Sequence, residues 1–246
     1  MRFVLATGNR HKLGEYRAIL APHPVEPMPA GTELPAEGTV SFEENARAKA
    51  LALARALSGV SPVDCVSRPE QTGRSADAEP AVGPTVVIAD DSGIEVAALD
   101  GAPGVVSARY AGVDGDDAAN NARLLAELAG LAGDSARAAR FVCVIAFVVL
   151  PEERASSDRG TTGDATGHDT ERGEDDLEAA AVRGEWPGVI AREPRGSAGF
   201  GYDPLFVPAG RAETVAQMSE ADKNDQSHRA RAARALLARL GTAGLS

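Results

Sequence analysis

Aromatic side chains are scarce in this 246-residue chain, only 4% of it, so whatever core it builds is mostly aliphatic. Cysteine is scarcer still. Cys65 and Cys143 stand far apart with neither CxxC nor Cys/His spacing, which excludes a disulfide framework and a zinc cluster. Cys143, inside "FVCVIAFVVL", reads as a small core residue. No apolar run is long enough for a bilayer; the longest, residues 141–150, is about half of what a membrane helix needs. The apolar start of "MRFVLATGNR" is also too short for a signal peptide. Positive charge is in deficit, with a formal net charge of -11, which argues against a protein that coats nucleic acid. A small basic pocket can still sit in an acidic protein. The expectation is a cytoplasmic globular protein with no membrane and no nucleic-acid partner.

Hydrophobic residues make up 43% of the chain, enough to bury a sizeable core. The periodicities predict strands at 2–7 and 85–90, and helices at 10–20, 41–57, 117–131 and 227–240. "RFVCVIAFVVL" (140–150) does not alternate, which predicts a central strand covered on both faces. "VRGEWPGVI" reads as a strand broken by Pro187. Strands alternating with helices predict a layered α/β fold. Two stretches do not fit a compact core: 61–84, rich in Pro, Ser, Ala and Gly, and 151–180, with ten acidic and three basic residues. Both read as long solvated insertions. The second accounts for most of the net charge, so overall acidity says little about a binding site.

"TGNRHK" (Thr7 to Lys12) ends a strand, allows close backbone approach at Gly8, and places Lys12 at a helix start. That is how amide groups and a cation are brought to a phosphate, although a plain strand-to-helix turn explains the glycine as well. The GxxxxGK[ST] spacing of a P-loop is absent. In "SFEENARAKA" (41–50), Ser41 and Glu44 have capping-box spacing, which leaves Asn45 and Lys49, one turn apart, unexplained.

"ADDSG" puts two carboxylates, Asp90 and Asp91, at the end of an apolar strand. Neighbouring strand side chains point to opposite faces, so the two cannot both enter one cleft. One is expected to be catalytic or metal-binding and the other to cap or orient the loop; two turn-forming Asp residues are the plainer alternative. "GFGYDPLFVP" (199–208) flanks Phe200 with glycines, which suits a ring stacking on a base, or a Phe tucked into the core. In "KNDQSHRARA", Ser227 is a natural N-cap, so His228 and Arg229 fall in the first turn of the last helix. Positive charge there opposes the helix dipole, and an anionic ligand would remove the conflict.

Five segments in this order, "LATGNRHKLGE", "SFEENARAKA", "ADDSGIEVAALDGAPGVVSARYAG", "GFGYDPLFVP" and "KNDQSHRARA", resemble the inosine triphosphate pyrophosphatase family, whose members hydrolyse non-standard purine nucleoside triphosphates. The resemblance implies a single domain over 1–246. It also implies a long mixed β-sheet flanked by helices, two lobes with the active-site cleft between them, and a homodimer. Thr7, Gly8, Asn9, Arg10, His11 and Lys12 would bind the triphosphate. Glu44 and Asp91 would hold Mg²⁺, with Asp91 also the proton acceptor, and Ser92 would touch substrate. Phe200, Gly201, Tyr202 and Asp203 would form the base loop, and Lys223, His228 and Arg229 would complete the site.

Two rival readings are a nucleotide-sensing module and an enzyme for pyrimidine or methylated nucleotides. A pure triphosphate binder gains little from extra carboxylates unless it also holds a metal. Because 151–180 has no apolar pattern to pack, deleting roughly residues 154–176 is expected to leave turnover near normal. A lost dimer or lost activity in that variant would show the segment to be structural.

Overall fold

The computed structural model describes residues 1–58, 83–131, 133–150 and 177–245. Most of the two polar stretches expected as insertions lies outside the described residues. The elements run β1 (Arg2–Leu5), α1 (Arg10–Ile19), β2 (Val25–Pro27), α2 (Phe42–Ser58), β3 (Thr85–Val96), α3 (Asp117–Glu127), β4 (Ala138–Val149), β5 (Ala180–Ile190), β6 (Phe206–Pro208), α4 (Glu220–Gln226) and α5 (His228–Thr242). Short 3₁₀ turns, Gly104–Arg109 among them, lie between. No helix among the described residues is long and apolar enough to cross a membrane.

One mixed sheet carries the molecule, in the order β2-β1-β3-β4-β5-β6. β1 is parallel to β2 and β3, and the β3–β4, β4–β5 and β5–β6 pairs are antiparallel. Period-2 alternation sorts the core. Val86 and Ile88 of β3, with Cys143 and Ile145 of β4, face α1 and α5 through Tyr16, Leu20, Ala233 and Leu236. Val87, Ala89, Val142 and Val144 face α2 through Phe42, Ala46, Ala50 and Leu53. Both faces of β4 are therefore covered, which is why its sequence does not alternate. A third cluster joins the far ends of β3 and β4 to α3 and β6 through Ile94, Phe141, Leu124, Trp186 and Phe206. The first two clusters form one lobe and the third the other, as the resemblance implies.

Two strand expectations are corrected. β3 does not stop at Asp90 but runs to Val96, with Asp91 opposite Val144 and Gly93 opposite Val142. Gly93 allows this, because a Cβ there would lie 2.5 Å from the Gly104 carbonyl oxygen. Nor does Pro187 break β5. Its carbonyl points away from β4 to accept from the Ala209 N–H (2.9 Å), so the missing donor is on the β6 side, where β6 has ended. α3 ends at Glu127, short of the expected residue 131, and α4 precedes α5 as a separate short helix.

α5 lies very close to β5. A Cβ on Gly184 would come within 2.3 Å of both Ala232 N and His228 O. Gly184→Ala is expected to cost about 2–3 kcal/mol by overpacking against backbone, seen as a melting temperature roughly 5–10 °C lower. An unchanged melt would mean that α5 can shift freely.

Candidate active site

A cleft of about 540 Å³ opens between the lobes, lined from the turn after β1, α1, α2, β3, the Gly104–Arg109 turn, α3, β4, the 200–203 loop and α5. At one end, Thr7 Oγ1 accepts the Asn9 N–H (3.2 Å), and Asn9 caps α1 by accepting from the His11 and Lys12 N–H groups (2.9 and 3.3 Å). The strand thus turns into α1 with Lys12 leading into the cleft.

Alternation along β3 now decides the two carboxylates. Asp90 follows Val86 and Ile88 onto the α1/α5 face, and Asp91 follows Val87 and Ala89 onto the α2 face. Asp90, 1% exposed, does not cap a loop as expected. It anchors two cations: Lys12 Nζ at 3.0 Å and Arg229 Nε at 3.4 Å. Arg229 also donates to Glu15 (2.9 Å), Glu15 accepts from Lys223 (2.8 Å), and Lys223 reaches Asp203 (2.6 Å). Six alternating charges from Lys12 to Asp203 therefore form one chain, buried except at the part-exposed Lys12. Burial works to raise the Asp90 carboxyl, but Lys12, Arg229 and Lys49 outweigh it and hold it well below the usual range. Glu15 is lowered in the same way: Arg229 and Lys223 overcome its burial. Ser227 caps α5 as expected, accepting the Ala230 N–H (3.2 Å), and Glu15 and Asp90 relieve the cation in its first turn.

Asp91 lines the cleft and is held differently. Its Oδ2 accepts from Asn45 Nδ2 (2.8 Å) and its Oδ1 from the Ser92 N–H (2.9 Å). Burial raises its pKa, the neighbouring Glu37 adds to the rise, and Lys49 opposes it. Asn45 and Lys49, unexplained by capping, thus belong to the site. Lys49 donates to the Asp90 carbonyl (2.7 Å) and to Glu37 (2.6 Å). Glu44 is elsewhere. It is exposed at the start of α2, its N–H donates to Ser41 Oγ (3.1 Å), and it lines a neighbouring groove with Val40, Phe42 and Glu95. Among the carboxylates that line the cleft, Glu37 is the one whose charge acts on Asp91. Arg10 is exposed and does not line the cleft.

At the other end stands the aromatic loop. Gly199 (φ 78°) is required there, since a Cβ would sit 2.0 Å from Asp203 Oδ2. That oxygen accepts the Phe200 N–H (2.9 Å). Tyr202 donates to the Ser107 carbonyl (2.9 Å). The Phe200 ring lies 4.6 Å from Lys223 Nζ, 5.2 Å from the Arg229 guanidinium, and 5.5 Å from the His11 ring. His228 stacks on Phe141 (4.7 Å, 12°), and burial beside Arg229 and Lys223 pushes its pKa well down. The structure thus gathers Thr7, Gly8, Asn9, His11, Lys12, Asp91, Ser92, Phe200, Gly201, Tyr202, Asp203, His228 and Arg229 along one cleft, with Lys223 behind Phe200. Glu15, Glu37, Asn45 and Lys49 were absent from the expected set.

Such an α/β cleft, with Lys12 at one end, the Phe200 ring against Lys223 and Arg229 at the other and carboxylates between, has the layout to take a flat ring joined to a polyanion. The chain belongs to the Ham1 family, whose model matches residues 3–239. It is 41% identical to a dITP/XTP pyrophosphatase of Mycobacterium tuberculosis, over 96% of this chain and 93% of that one. It is 42% identical to the protein of the same name in Mycolicibacterium paratuberculosis, over 97% and 95%. Among solved structures, the Staphylococcus aureus Ham1 protein superposes with a TM-score of 0.67 at 31% identity, covering 98% and 99% of the two chains. The resemblance carried by the five motifs holds along nearly the whole chain.

Asp90 and Asp91 predict opposite outcomes for stability. Asp90→Asn leaves buried cations under-compensated and is expected to cost about 3–5 kcal/mol. A lowered folded pKa contributes stability above the unfolded value of about 3.9 and loses it as pH falls. The gap between wild type and Asp90→Asn should therefore begin to narrow below about pH 4 and go on narrowing as the pH falls further. Asp91, whose pKa is raised, is not stabilised by its charge, so Asp91→Asn should melt no lower than wild type. Thermal unfolding from pH 3 to 8 checks both; equal losses at pH 7 would refute the assignment.

Proposed function

We propose that the protein hydrolyses ITP, dITP and XTP to the nucleoside monophosphate and pyrophosphate, cleansing the cytoplasmic nucleotide pool. The observation that carries this reading is the continuity of the cleft: Phe200 rests on Lys223 and Arg229, and the chain they belong to ends at Lys12, which lines the same cleft as Asp91. A base stacked on Phe200 would extend its phosphates toward Lys12. The names of the relatives support the substrate class.

Charge argues for a metal. Three cations (Lys12, Lys49, Arg229) and five carboxylates (Glu37, Asp91, Asp114, Asp117, Asp203) line the cleft among the described residues. A triphosphate of about four negative charges needs more positive charge than these supply. The fit is to Mg²⁺, which takes oxygen ligands and keeps several waters. Asp91 and Glu37, both in the cleft, would hold it. Among the described residues, no three His, Cys, Asp or Glu side chains could hold a metal ion. Phosphate oxygens and water would complete the shell. Bound there, Mg²⁺ would offset charge on the phosphates as it grows in the transition state.

The protein's own groups supply the rest. Asn45 fixes Asp91 Oδ2, and the raised pKa of Asp91 makes it the better proton acceptor. A water that loses its proton toward Asp91 attacks the α-phosphorus, and pyrophosphate leaves. Lys12 and Arg229, held by Asp90, meet the phosphates. The first-turn N–H groups of α5, at His228 and Arg229, have no intrahelical acceptor and can donate to the purine 6-oxygen. An adenine 6-amino group facing those donors leaves them unpaired, which can discriminate by roughly 10⁴-fold. A homodimer is part of the same proposal, on the family resemblance.

Measured as kcat/KM at equal free Mg²⁺, ITP and XTP are expected to exceed ATP strongly, with GTP also poor. Comparable ATP and ITP values would overturn the substrate class, and turnover of pyrimidine nucleotides alone would favour the rival enzyme. Exhaustive chelation should abolish turnover. Asp91→Asn should lower kcat by about 10²–10⁴ while nucleotide still binds, and Glu37→Gln should raise the Mg²⁺ requirement more than Glu44→Gln. The reverse order at Glu37 and Glu44 would restore Glu44 as the second ligand.

A further inference from the structure

The loop that presents Phe200 is held by more than its own motif. Within the motif, Asp203 accepts the Phe200 N–H and Tyr202 is tied to Ser107. Between them, Gly201 stands in the left-handed region at φ 62°. Its N–H donates to Asp117 Oδ2 (2.6 Å), and its carbonyl accepts from Asn121 Nδ2 (2.9 Å). Asp117 opens α3 and Asn121 follows four residues later, so both side chains project from one helix face. Both main-chain polar groups of the residue after Phe200 are thus gripped by a helix 80 residues away in the sequence.

Asn121 has a second peculiarity. Its Oδ1 is buried with no partner among the described residues. A buried amide with one end unsatisfied is a poor choice for the fold alone, because the unmade bond costs more than a made one returns. An apolar residue would pack there without that cost. The bond to Gly201 is what the amide provides.

We propose that Asp117 and Asn121 are positioning residues for base recognition: they clasp Gly201 and so fix the place from which the Phe200 ring meets the substrate's base. This rests on the nucleotide reading of the cleft. Neither residue belongs to the chain of charges that ends at Lys12, on the phosphate side. Loosening the clasp should therefore weaken recognition of the base and leave recognition of the phosphates intact. Asp117 acts through an oxygen that accepts, so an amide in its place can serve where a methyl cannot.

The test compares Asp117→Ala, Asp117→Asn and Asn121→Ala with wild type, using the triphosphate that wild type prefers in a nucleotide panel. Inorganic tripolyphosphate, which has no base, serves as a competing inhibitor. Asp117→Ala and Asn121→Ala are expected to raise KM about tenfold with kcat within about twofold. Inhibition by tripolyphosphate should stay within about twofold of wild type, and Asp117→Asn should recover most of the loss. Three results would overturn the clasp: KM unchanged in both alanine variants, tripolyphosphate inhibition weakening in step with KM, or Asp117→Asn as impaired as Asp117→Ala. If wild type prefers ATP or a pyrimidine nucleotide, only the substrate assignment fails, and the clasp is judged with that nucleotide. If wild type neither binds nor hydrolyses any nucleoside triphosphate, both fail.

Discussion

Arg229 is 4% exposed, and the cleft exists because its charge can be kept there. An unpaired guanidinium at that depth would cost several kcal/mol. Glu15 and Asp90 flank it, and each has a second cation, Lys223 and Lys12. The chain is neutral as a whole, which is what allows five buried charges and the part-buried Lys12 to sit together at the cleft. It also sets the spacing of the site. Asp90 fixes Lys12 at the phosphate end, while Asp203 fixes both Lys223 and the Phe200 amide at the aromatic end. One network therefore spans both halves of a nucleotide.

That neutrality has a counterpart in Asp91. All three network cations are already matched, so little positive charge is left over for an incoming anion, and the side of the cleft facing α2 is acidic. The two halves of "DD" thus do opposite work with the same side chain. Asp90 is stabilised by cations and holds them. Asp91, on the other face of the strand, is pushed toward protonation by burial and Glu37. Neither role could be exchanged without turning β3 over.

Much of this was legible in the sequence, and the reasons for what was not are local. Alternation along β3 separated Asp90 from Asp91, the S-x-x-E spacing located the start of α2, and Ser227 marked that of α5. The length of β3 was not legible, because Asp, Ser and Gly are turn formers and only a partner strand overrides them. β5 was misread at Pro187, since the direction of one missing N–H depends on where β6 ends. In the site, Glu37 was missed because it sits outside any element, before α2, where spacing carries no information. Glu15 lies one helical turn from Lys12, an i, i+3 relation that could have drawn it in, and Asn45 and Lys49, which capping leaves unexplained, carried their signal in their i, i+4 spacing. Asp117 and Asn121 offered no such signal, as their partner is the backbone of a distant glycine.

The buried chain of charges also constrains how this sequence can drift. Its six members come from α1, β3, the 200–203 loop, α4 and α5, and removing any one strands a neighbour's charge in the interior. Single substitutions at these positions should therefore be penalised out of proportion to the contact they delete, while compensated pairs escape most of that penalty. In evolutionary terms the network is a unit of inheritance: its positions are free to change only together, whereas the exposed faces of the same helices can vary one residue at a time.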